Sequence, residues 1–224
     1  MRLLEGLAEL LFPTRCAGCE MPGSVLCDAC RLGIPRIERT GACLRCGAPF
    51  GWLTCTECWN REWAFSAALA LGEFERPLSR AVILHKDAGE RRLAAVFGAL
   101  LAEEVADAWP SWPEAVAFVP ATNAALARRG FDHGRAIAES LSAELGVPML
   151  EVLARAAARD QRSLGRVARE HNVAGSFSAS GSVGGCVLLT DDVLTTGATL
   201  DAAAGVLLAA GAEEVRVAVV ARTW

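Results

Sequence analysis

Apolar and polar positions follow strand-like and helix-like patterns in turn from about residue 61 to the C-terminal end. Short apolar runs rich in Val, Leu and Ala predict strands, and apolar residues spaced three or four apart predict helices. Strands that alternate with helices are typical of an α/β domain with a mostly parallel sheet. The predicted strands are 67–74, 116–120, 186–190 and 215–221, and the predicted helices are 77–84, 91–107, 134–145 and 199–210.

The segment VLLTDDVLTTGATL, residues 187–200, runs from an apolar strand into two adjacent carboxylates, then into a Thr-Thr-Gly turn and the start of a helix. The free N–H groups and positive dipole end of a helix favour a phosphate, glycine lets the backbone approach it, and hydroxyls add donors. The adjacent Asp191 and Asp192 can accept hydrogen bonds from vicinal ribose hydroxyls. The alternative is a purely structural strand, loop and helix with an acidic N-cap.

An apolar run followed by Asp-Asp, three residues and Thr-Gly resembles the phosphoribosyl diphosphate (PRPP) motif of type I phosphoribosyltransferases. The resemblance implies a site for PRPP with Mg²⁺, which prefers carboxylate and phosphate oxygens. Asp191 and Asp192 would hold the ribose hydroxyls, and the following turn would hold the 5′-phosphate. The PRPP-binding residues expected in this segment are Asp191, Asp192, Val193, Leu194, Thr195, Thr196, Gly197, Ala198 and Thr199.

A second strand-loop-helix segment begins at Val119 and contains Arg128, Arg129 and Gly130. Guanidinium groups bind phosphate oxygens through paired donors, so Arg128 and Arg129 are candidate ligands of the PRPP pyrophosphate. The alternative is a solvated basic turn. A third segment, from Arg155 to Phe177, is rich in arginine. It predicts a mobile loop that closes over the diphosphate and excludes water, or else a solvated helix face.

The 22 basic residues include a single lysine, Lys86, and are otherwise arginine. A lysine in such a chain indicates a position that needs a compact ammonium group, although a solvated surface lysine is an equally good interpretation.

Eight of the nine cysteines lie in the N-terminal part of the chain and form four CxxC pairs. Two thiolates separated by two residues can reach one tetrahedral zinc ion, and two such pairs complete a four-thiolate site. The pattern therefore predicts a double zinc ribbon with two structural Zn²⁺ ions and no open position for a substrate. The expected zinc ligands are Cys16, Cys19, Cys27, Cys30, Cys43, Cys46, Cys55 and Cys58.

Other uses of these cysteines fit the sequence less well. A disulfide framework would need an oxidising compartment, and a thioredoxin-like site would need one CxxC in a βαβ context. We expect the first CxxC to pair with the second and the third with the fourth, because seven or eight residues separate them, with a cross-braced arrangement as the alternative. Cys186 stands apart in an apolar strand, where we expect a small buried side chain.

Length and composition indicate one large domain and a small module, since the chain has 224 residues, 53% of them hydrophobic. We expect an amphipathic helix at 1–15, the double zinc ribbon at 16–60 and the α/β domain at 61–224. No apolar run is long and uncharged enough for a signal peptide or a membrane span. We therefore expect a cytoplasmic protein without membrane insertion.

The formal charge of −4 gives no bulk attraction to nucleic acid and argues against a nucleic-acid partner. Arg31, Arg36, Arg39 and Arg45 in the cysteine segment leave that partner open.

Taken in order, these parts resemble the ComF family of competence-associated, phosphoribosyltransferase-like proteins over nearly the whole chain. The shared features are the double zinc ribbon, Leu84-His85-Lys86, Arg129-Gly130-Phe131, the stretch from Gln161 to Phe177, and the PRPP motif. The resemblance implies a type I phosphoribosyltransferase fold behind the zinc module and strengthens the case that Lys86 is functional. It also implies a link to DNA uptake and a protein partner in that machinery.

Two departures from the family pattern touch the candidate pyrophosphate loop. The family has Val-Pro-Val-Pro-Leu-His where this chain has Val-Pro-Ala-Thr-Asn-Ala at residues 119–124, and Arg-Gly-Phe-Asn-Gln where this chain has Asp132 and His133 as the last two residues. The PRPP motif itself is intact, so the sequence favours ribose phosphate binding more strongly than turnover.

Two main functional hypotheses follow. The first is a Mg²⁺-dependent transferase that passes phosphoribosyl from PRPP to a nitrogen acceptor and releases pyrophosphate, with Asp191, Asp192, Lys86 and Arg129 as its catalytic candidates. The second is a non-catalytic PRPP-binding competence factor whose zinc module binds a protein partner or nucleic acid. No residue stands out as a general base, and the three histidines carry no assigned role.

Overall fold

The computed structural model of the chain describes residues 13–155 and 176–224. Within these residues a five-stranded sheet has the order β1-β7-β6-β2-β3, and every neighbouring pair is parallel. The strands are β1 (Ala67–Glu73), β2 (Ala115–Phe118), β3 (Met149–Leu150), β4 (Leu153–Arg155), β5 (Phe177–Ala179), β6 (Cys186–Leu194) and β7 (Glu214–Arg222). The helices are α1 (Asp28–Leu32), α2 (Leu78–Asp87), α3 (Leu93–Ala108), α4 (Asn123–Arg129), α5 (His133–Leu145) and α6 (Ala198–Ala209), with a 3₁₀ turn at Arg39–Gly41.

Helices cover both faces of the sheet. Leu188 of β6 belongs to a buried cluster with the apolar residues of α2, α3 and α5. Val187 and Leu189 of the same strand face the opposite cluster, which contains the apolar residues of α6. Because parallel strands covered on both faces need apolar residues at nearly every position, the first part of β6, residues 186–189, is a continuous apolar run. The predicted α/β fold with a mostly parallel sheet is confirmed.

The four predicted strands and four predicted helices are all present, with some shifted boundaries. The largest shift is in β6, which continues past residue 190 to Leu194. Asp191 therefore lies within the sheet, opposite Val219 of β7, and not after the end of the strand. The two carboxylates still lie near the carboxyl end of a parallel strand, where α/β proteins bind their ligands.

The cysteine segment packs directly on the α/β sheet. Cys16 and Cys30 belong to the same buried cluster as Leu71 of β1 and Leu78 of α2. Cys43, Cys46 and Cys58 form a small cluster of their own, against which Trp63 packs. Cys186, which we expected to be buried, is half-buried at the first position of β6.

Two sequence predictions lie outside the described residues: nearly all of the amphipathic helix at 1–15, and the arginine-rich loop between Arg155 and Phe177. The two ends of that loop are described, and they pair in the antiparallel ladder of β4 and β5. In the parts of the chain that are described, every helix is too short or too polar to cross a bilayer.

Candidate functional site

The acidic pair lies at the centre of a charged cluster at the carboxyl end of β6. Asp192 is only 3% exposed, and its Oδ2 lies 2.6 Å from the Lys86 Nζ of α2 and 3.4 Å from the His133 Nε2 of α5. A buried carboxylate needs such a partner, since an unpaired charge in the interior is costly. Asp191 is half-buried beside it.

The loop between β2 and α5 holds His133 in place. Asp132 caps α5 by accepting from the Arg135 N–H at 3.2 Å, and its other oxygen accepts from the Ala121 N–H at 2.8 Å. Gly134, the residue after His133, lies close to the end of β2. A Cβ atom at Gly134 would be 2.9 Å from the carbonyl oxygen of Val119, the residue after that strand. The aspartate at 132, one of the departures from the family pattern, thus serves as a helix cap.

Arg128 and Arg129 end the short helix α4 but point in different directions. The Arg129 side chain is 9% exposed, donates to Asp87 Oδ1 from Nε and NH2 at 3.2 and 2.9 Å, and has NH1 3.4 Å from His133 Nδ1. The Arg128 side chain is 70% exposed and lies 3.8 Å from Asp87. Of the two predicted pyrophosphate ligands, only Arg129 lines the cleft beside the acidic pair.

The charges in this cluster alter the protonation of two groups. Burial raises the pKa of Asp191 to about 8, the charge of Asp192 adds to the rise, and Lys86 and Arg155 oppose it. Burial lowers the pKa of His133 to about 4. The negative charge of Asp192 opposes this change, and the positive charges of Lys86 and Arg129 add to it. Near neutral pH His133 is therefore uncharged, and Lys86 supplies the positive charge that faces Asp192.

The turn after β6 leads into α6 without a side-chain cap. Gly197, the residue before the helix, has φ of +77°, a conformation that glycine adopts readily. Since no side chain caps α6 among the described residues, its first N–H groups are free to bind an anion.

A cleft of about 300 Å³ joins these elements. Of the predicted site residues, Asp191, Asp192, Val193, Thr195, Thr199, Lys86 and Arg129 line it, whereas Leu194, Thr196, Gly197, Ala198 and Arg128 do not. The sequence did not single out His133 and Arg155 as cleft residues. Arg155 reaches it by donating from Nε to the Pro120 carbonyl at 2.8 Å and by stacking over Phe177.

The same cluster could hold a cation. His133, Asp191 and Asp192 offer ligand atoms that all lie within 4.8 Å of one another. Carboxylate oxygens suit Mg²⁺, which usually takes one or two of them together with waters and substrate phosphates. The donor set therefore fits a metal that enters with a phosphorylated ligand.

The eight N-terminal thiols form two groups of four, with the first CxxC beside the second and the third beside the fourth. Neighbouring sulfurs lie 3.6 Å apart for Cys16 and Cys27, and 3.6 Å apart for Cys46 and Cys55. Four sulfurs about 2.3 Å from a central ion in tetrahedral geometry are about 3.8 Å apart, so each group fits a zinc ion. This grouping agrees with the sequential pairing and not with the cross-braced one.

Backbone donors prepare one thiol in each group for metal binding. Burial opposes ionisation of Cys16, but the N–H groups of Cys27, Cys19 and Gly18 lower its pKa to about 6. In the second group burial likewise opposes ionisation, and backbone N–H groups lower the pKa of Cys43 to about 7. Burial raises the pKa of Cys30 and of Cys58, which would lose their protons when a cation binds.

One family of domains matches the C-terminal part of the chain, and two known proteins resemble nearly all of it. The Phosphoribosyl transferase domain family matches residues 125–223. The DNA utilization protein YhgH of Salmonella typhi is 29% identical over 227 residues, which cover 96% of this chain and 99% of that protein. Competence protein F of Haemophilus influenzae is 27% identical over 222 residues, which cover 92% of this chain and 96% of that protein.

Solved structures align with part of the chain. The glutamine PRPP amidotransferase from B. subtilis, complexed with ADP and GMP, aligns at 23% identity and a TM-score of 0.42, over 58% of this chain and 26% of that chain. The chain thus spans about a quarter of that enzyme's length. A purine phosphoribosyltransferase from Pyrococcus horikoshii aligns at 18% identity and a TM-score of 0.39, over 59% of this chain and 85% of that chain.

The matched domain contains the acidic pair, Arg129, His133 and the turn before α6, and the two relatives extend the similarity through the cysteine segment. Together with the parallel sheet and the two cysteine groups, these similarities confirm the resemblance to the ComF family seen in the sequence and show a type I phosphoribosyltransferase fold.

Proposed function

We propose that this protein binds PRPP with Mg²⁺ in the cleft at the carboxyl end of β6 and transfers its phosphoribosyl group to a nitrogen acceptor. The observation that carries the proposal is the combination of an acidic pair and an uncapped helix start in one cleft that is also lined by Arg129 and Lys86. An anion-binding helix end, carboxylates for hydroxyls and cations for a pyrophosphate are the groups that PRPP requires.

Each cleft residue then has a role. Asp191 and Asp192 would hold the ribose hydroxyls, directly or through metal-bound water. Thr195, Thr199 and the start of α6 would hold the 5′-phosphate. Arg129, already fixed against Asp87, would contact the pyrophosphate.

The reaction breaks the bond between the anomeric carbon and the pyrophosphate oxygen and forms a bond from that carbon to the acceptor nitrogen, whose proton passes to solvent. Bound Mg²⁺ would neutralise phosphate charge. The side chains position the reactants and stabilise the charge that builds up on the leaving pyrophosphate. Lys86 lies close enough to Asp192 to exchange that partner for a phosphate oxygen when PRPP enters.

The test is a calorimetric titration of PRPP with and without Mg²⁺ on the wild type and on Asp191→Asn/Asp192→Asn. We expect the double variant to bind at least about thirtyfold more weakly, since hydrogen bonds to charged groups contribute about 2 kcal/mol. Asp107→Asn, an exposed carboxylate at the end of α3, is the control and should bind like the wild type. Equal affinity in the double variant would rule out this site.

A second candidate is a PRPP-binding factor that does not turn its ligand over and uses the cysteine segment to bind a protein partner. It is favoured by four large apolar side chains exposed on the second cysteine group: Phe50, Trp52, Leu53 and Trp59. Exposed apolar patches often mark interaction sites. Release of pyrophosphate with one of a panel of bases would identify a transferase, and binding without release would favour the factor.

Nucleic acid is the weaker choice of partner for this segment. Two of its arginines, Arg36 and Arg39, form ion pairs with Glu104 and Asp107 of α3. Their charges are therefore already compensated within the chain.

A further inference from the structure

Arg222, the last residue of β7, is a buried cation. It is 3% exposed, and among residues 13–155 and 176–224 no carboxylate lies within ion-pair distance of it. Its NH1 donates to the carbonyls of Leu194, the last residue of β6, at 3.2 Å, and of Thr195, the first residue of the turn before α6, and also to that of Thr223. Its NH2 lies 3.9 Å from the Cys46 sulfur. One guanidinium thus joins the candidate phosphate turn to the second cysteine group.

The charge of Arg222 also requires compensation, since a buried charge is tolerated only when it is paired. Four thiolates around one Zn²⁺ carry a net charge of about −2, so the metal-bound second group would supply the counter-charge. Outer-shell groups that hydrogen-bond to metal ligands orient those ligands and tune the site, and Arg222 is placed to do so at Cys46.

Trp63 makes a second connection between the same two places. Its Nε1 donates to the Cys58 sulfur at 3.2 Å, and its ring lies so close to Gly197 that a Cβ there would be 2.7 Å from it. Arg61 stacks on this ring, 3.6 Å from its centre, and donates to the Thr196 carbonyl at 3.4 Å. The turn from Thr195 to Gly197 therefore rests on residues that also contact ligands of the second group.

The first cysteine group makes no comparable contact with this turn within the described part of the chain. Its segment is joined instead to α2, where Arg80 donates from NH1 to the Ala17 carbonyl and from NH2 to Glu20, both at 2.6 Å.

We infer that Arg222 and Trp63 are positioning residues through which the second cysteine group, with its metal, holds the turn before α6 in the shape that binds a phosphate. The inference rests on the proposed function for the identity of the ligand, but not for the contacts that shape the turn. By this inference the second zinc ribbon helps to shape the ligand site, and the first zinc ribbon does not.

The test compares Arg222→Lys and Trp63→Phe with the wild type as the full, zinc-loaded chain. Arg222→Lys keeps the charge but loses the forked donor, and Trp63→Phe keeps the ring but loses the N–H. Arg80→Lys is the matched control, because it makes the same chemical change beside the first group. Two quantities are measured: hydrogen exchange of amides 194–200 in the absence of ligand, and the affinity for ribose 5-phosphate.

We expect Arg222→Lys to speed exchange of these amides and to weaken ribose 5-phosphate binding, each about tenfold, with zinc content and exchange in β2 unchanged. Trp63→Phe should act in the same direction and Arg80→Lys should do neither. If both turn variants keep wild-type exchange and affinity, the inference is wrong. A wild type that does not bind ribose 5-phosphate would count against the proposed function, while the exchange measurement would still decide the inference. If Arg222→Lys does not fold, Trp63→Phe decides it alone.

Discussion

At the scale of single residues, the two adjacent carboxylates differ in their surroundings. Asp192 is buried against Lys86 at 2.6 Å, so its charge is balanced in the free protein. Asp191 has no ion-pair partner within the described residues, and burial next to the charge of Asp192 raises its pKa to about 8. Asp191 would lose that proton when a metal or a ribose enters, so its charge would change on binding, whereas that of Asp192 would not.

The raised pKa of Asp191 predicts a pH dependence of stability. Its folded pKa lies above its ordinary value of 3.8, so between about pH 4 and pH 8 the folded state holds the proton more tightly than the unfolded state. The unfolding free energy contributed by this group therefore falls as pH rises through that window. Asp191→Asn cannot ionise and should gain thermal stability relative to the wild type from pH 5 to pH 8, by at least about 2–4 °C.

The melting temperature without ligand is the measurement, at half-unit pH steps, with Asp107→Asn as the exposed control. His133, whose pKa falls from its ordinary 6.5 to about 4 in the folded state, adds a change of opposite sign between about pH 4 and pH 6.5, but this change is common to both proteins and cancels in their difference. A difference between Asp191→Asn and wild type that stays constant with pH would contradict this assignment.

At the scale of elements, the apolar pattern was sufficient to predict the four long strands and four of the helices. It did not predict α4, because none of that helix is buried and it has no apolar face to give a periodic signal. The sequence signals for α4 are the capping residue Thr122 at its start and Gly130 at its end, where φ is +72°. Strands β3, β4 and β5 have two or three residues each, too few to show a period.

The site was predictable where it is local in sequence and not where it depends on tertiary contacts. The acidic pair and the turn form one motif, so their proximity could be predicted. His133 and Lys86 meet Asp192 only because α5 packs on β6 and α2 packs on the neighbouring strands β7 and β1, and no pattern in the sequence predicts that packing. The lone lysine was still informative, since a chain built with arginine places its only ammonium at this carboxylate.

The crossing of α3 and α5 gives a prediction at this scale. At Gly98 in α3 a Cβ atom would lie 2.3 Å from Ser140 Oγ and 2.8 Å from the Leu141 backbone nitrogen of α5. We expect Gly98→Ala to destabilise the protein by about 1–3 kcal/mol, because a backbone atom cannot move aside as a flexible side chain can. Thermal or denaturant unfolding measures the change.

Gly205→Ala in α6 is the matched control, because the nearest atom to its Cβ would be Ala64 Cβ at an ordinary 3.8 Å. Both changes improve helix propensity by up to about 1 kcal/mol, so Gly205→Ala should be neutral or stabilising. If Gly98→Ala were as stable as Gly205→Ala, the close packing of α3 on α5 would be contradicted.

At the scale of the whole molecule, the first cysteine group is part of the main core. Cys30 packs in the cluster that holds Leu71 and Leu78, and Gly18 approaches α2 so closely that a Cβ there would lie 2.8 Å from Pro77 Cβ. Folding of this segment and of the α/β sheet should therefore be coupled, since neither can bury these residues without the other.

This coupling predicts that loss of the first metal site weakens the whole chain. We expect Cys30→Ser to lower the zinc content from about two ions per chain to about one, and to lower the melting temperature of the entire protein in a single transition. A loss of about 2–4 kcal/mol of metal-linked folding energy corresponds to roughly 4–16 °C for a chain of this size. Elemental analysis and calorimetry on the same sample measure both quantities.

Cys186→Ser is the control, because Cys186 lies outside both cysteine groups and should keep the zinc content and the melting temperature. Two outcomes would contradict the prediction in different ways. A Cys30→Ser protein that keeps about two zinc ions would show that the first group is not a metal site. One that loses an ion but melts at the wild-type temperature would show that the ribbon folds independently of the sheet, despite the core that they share.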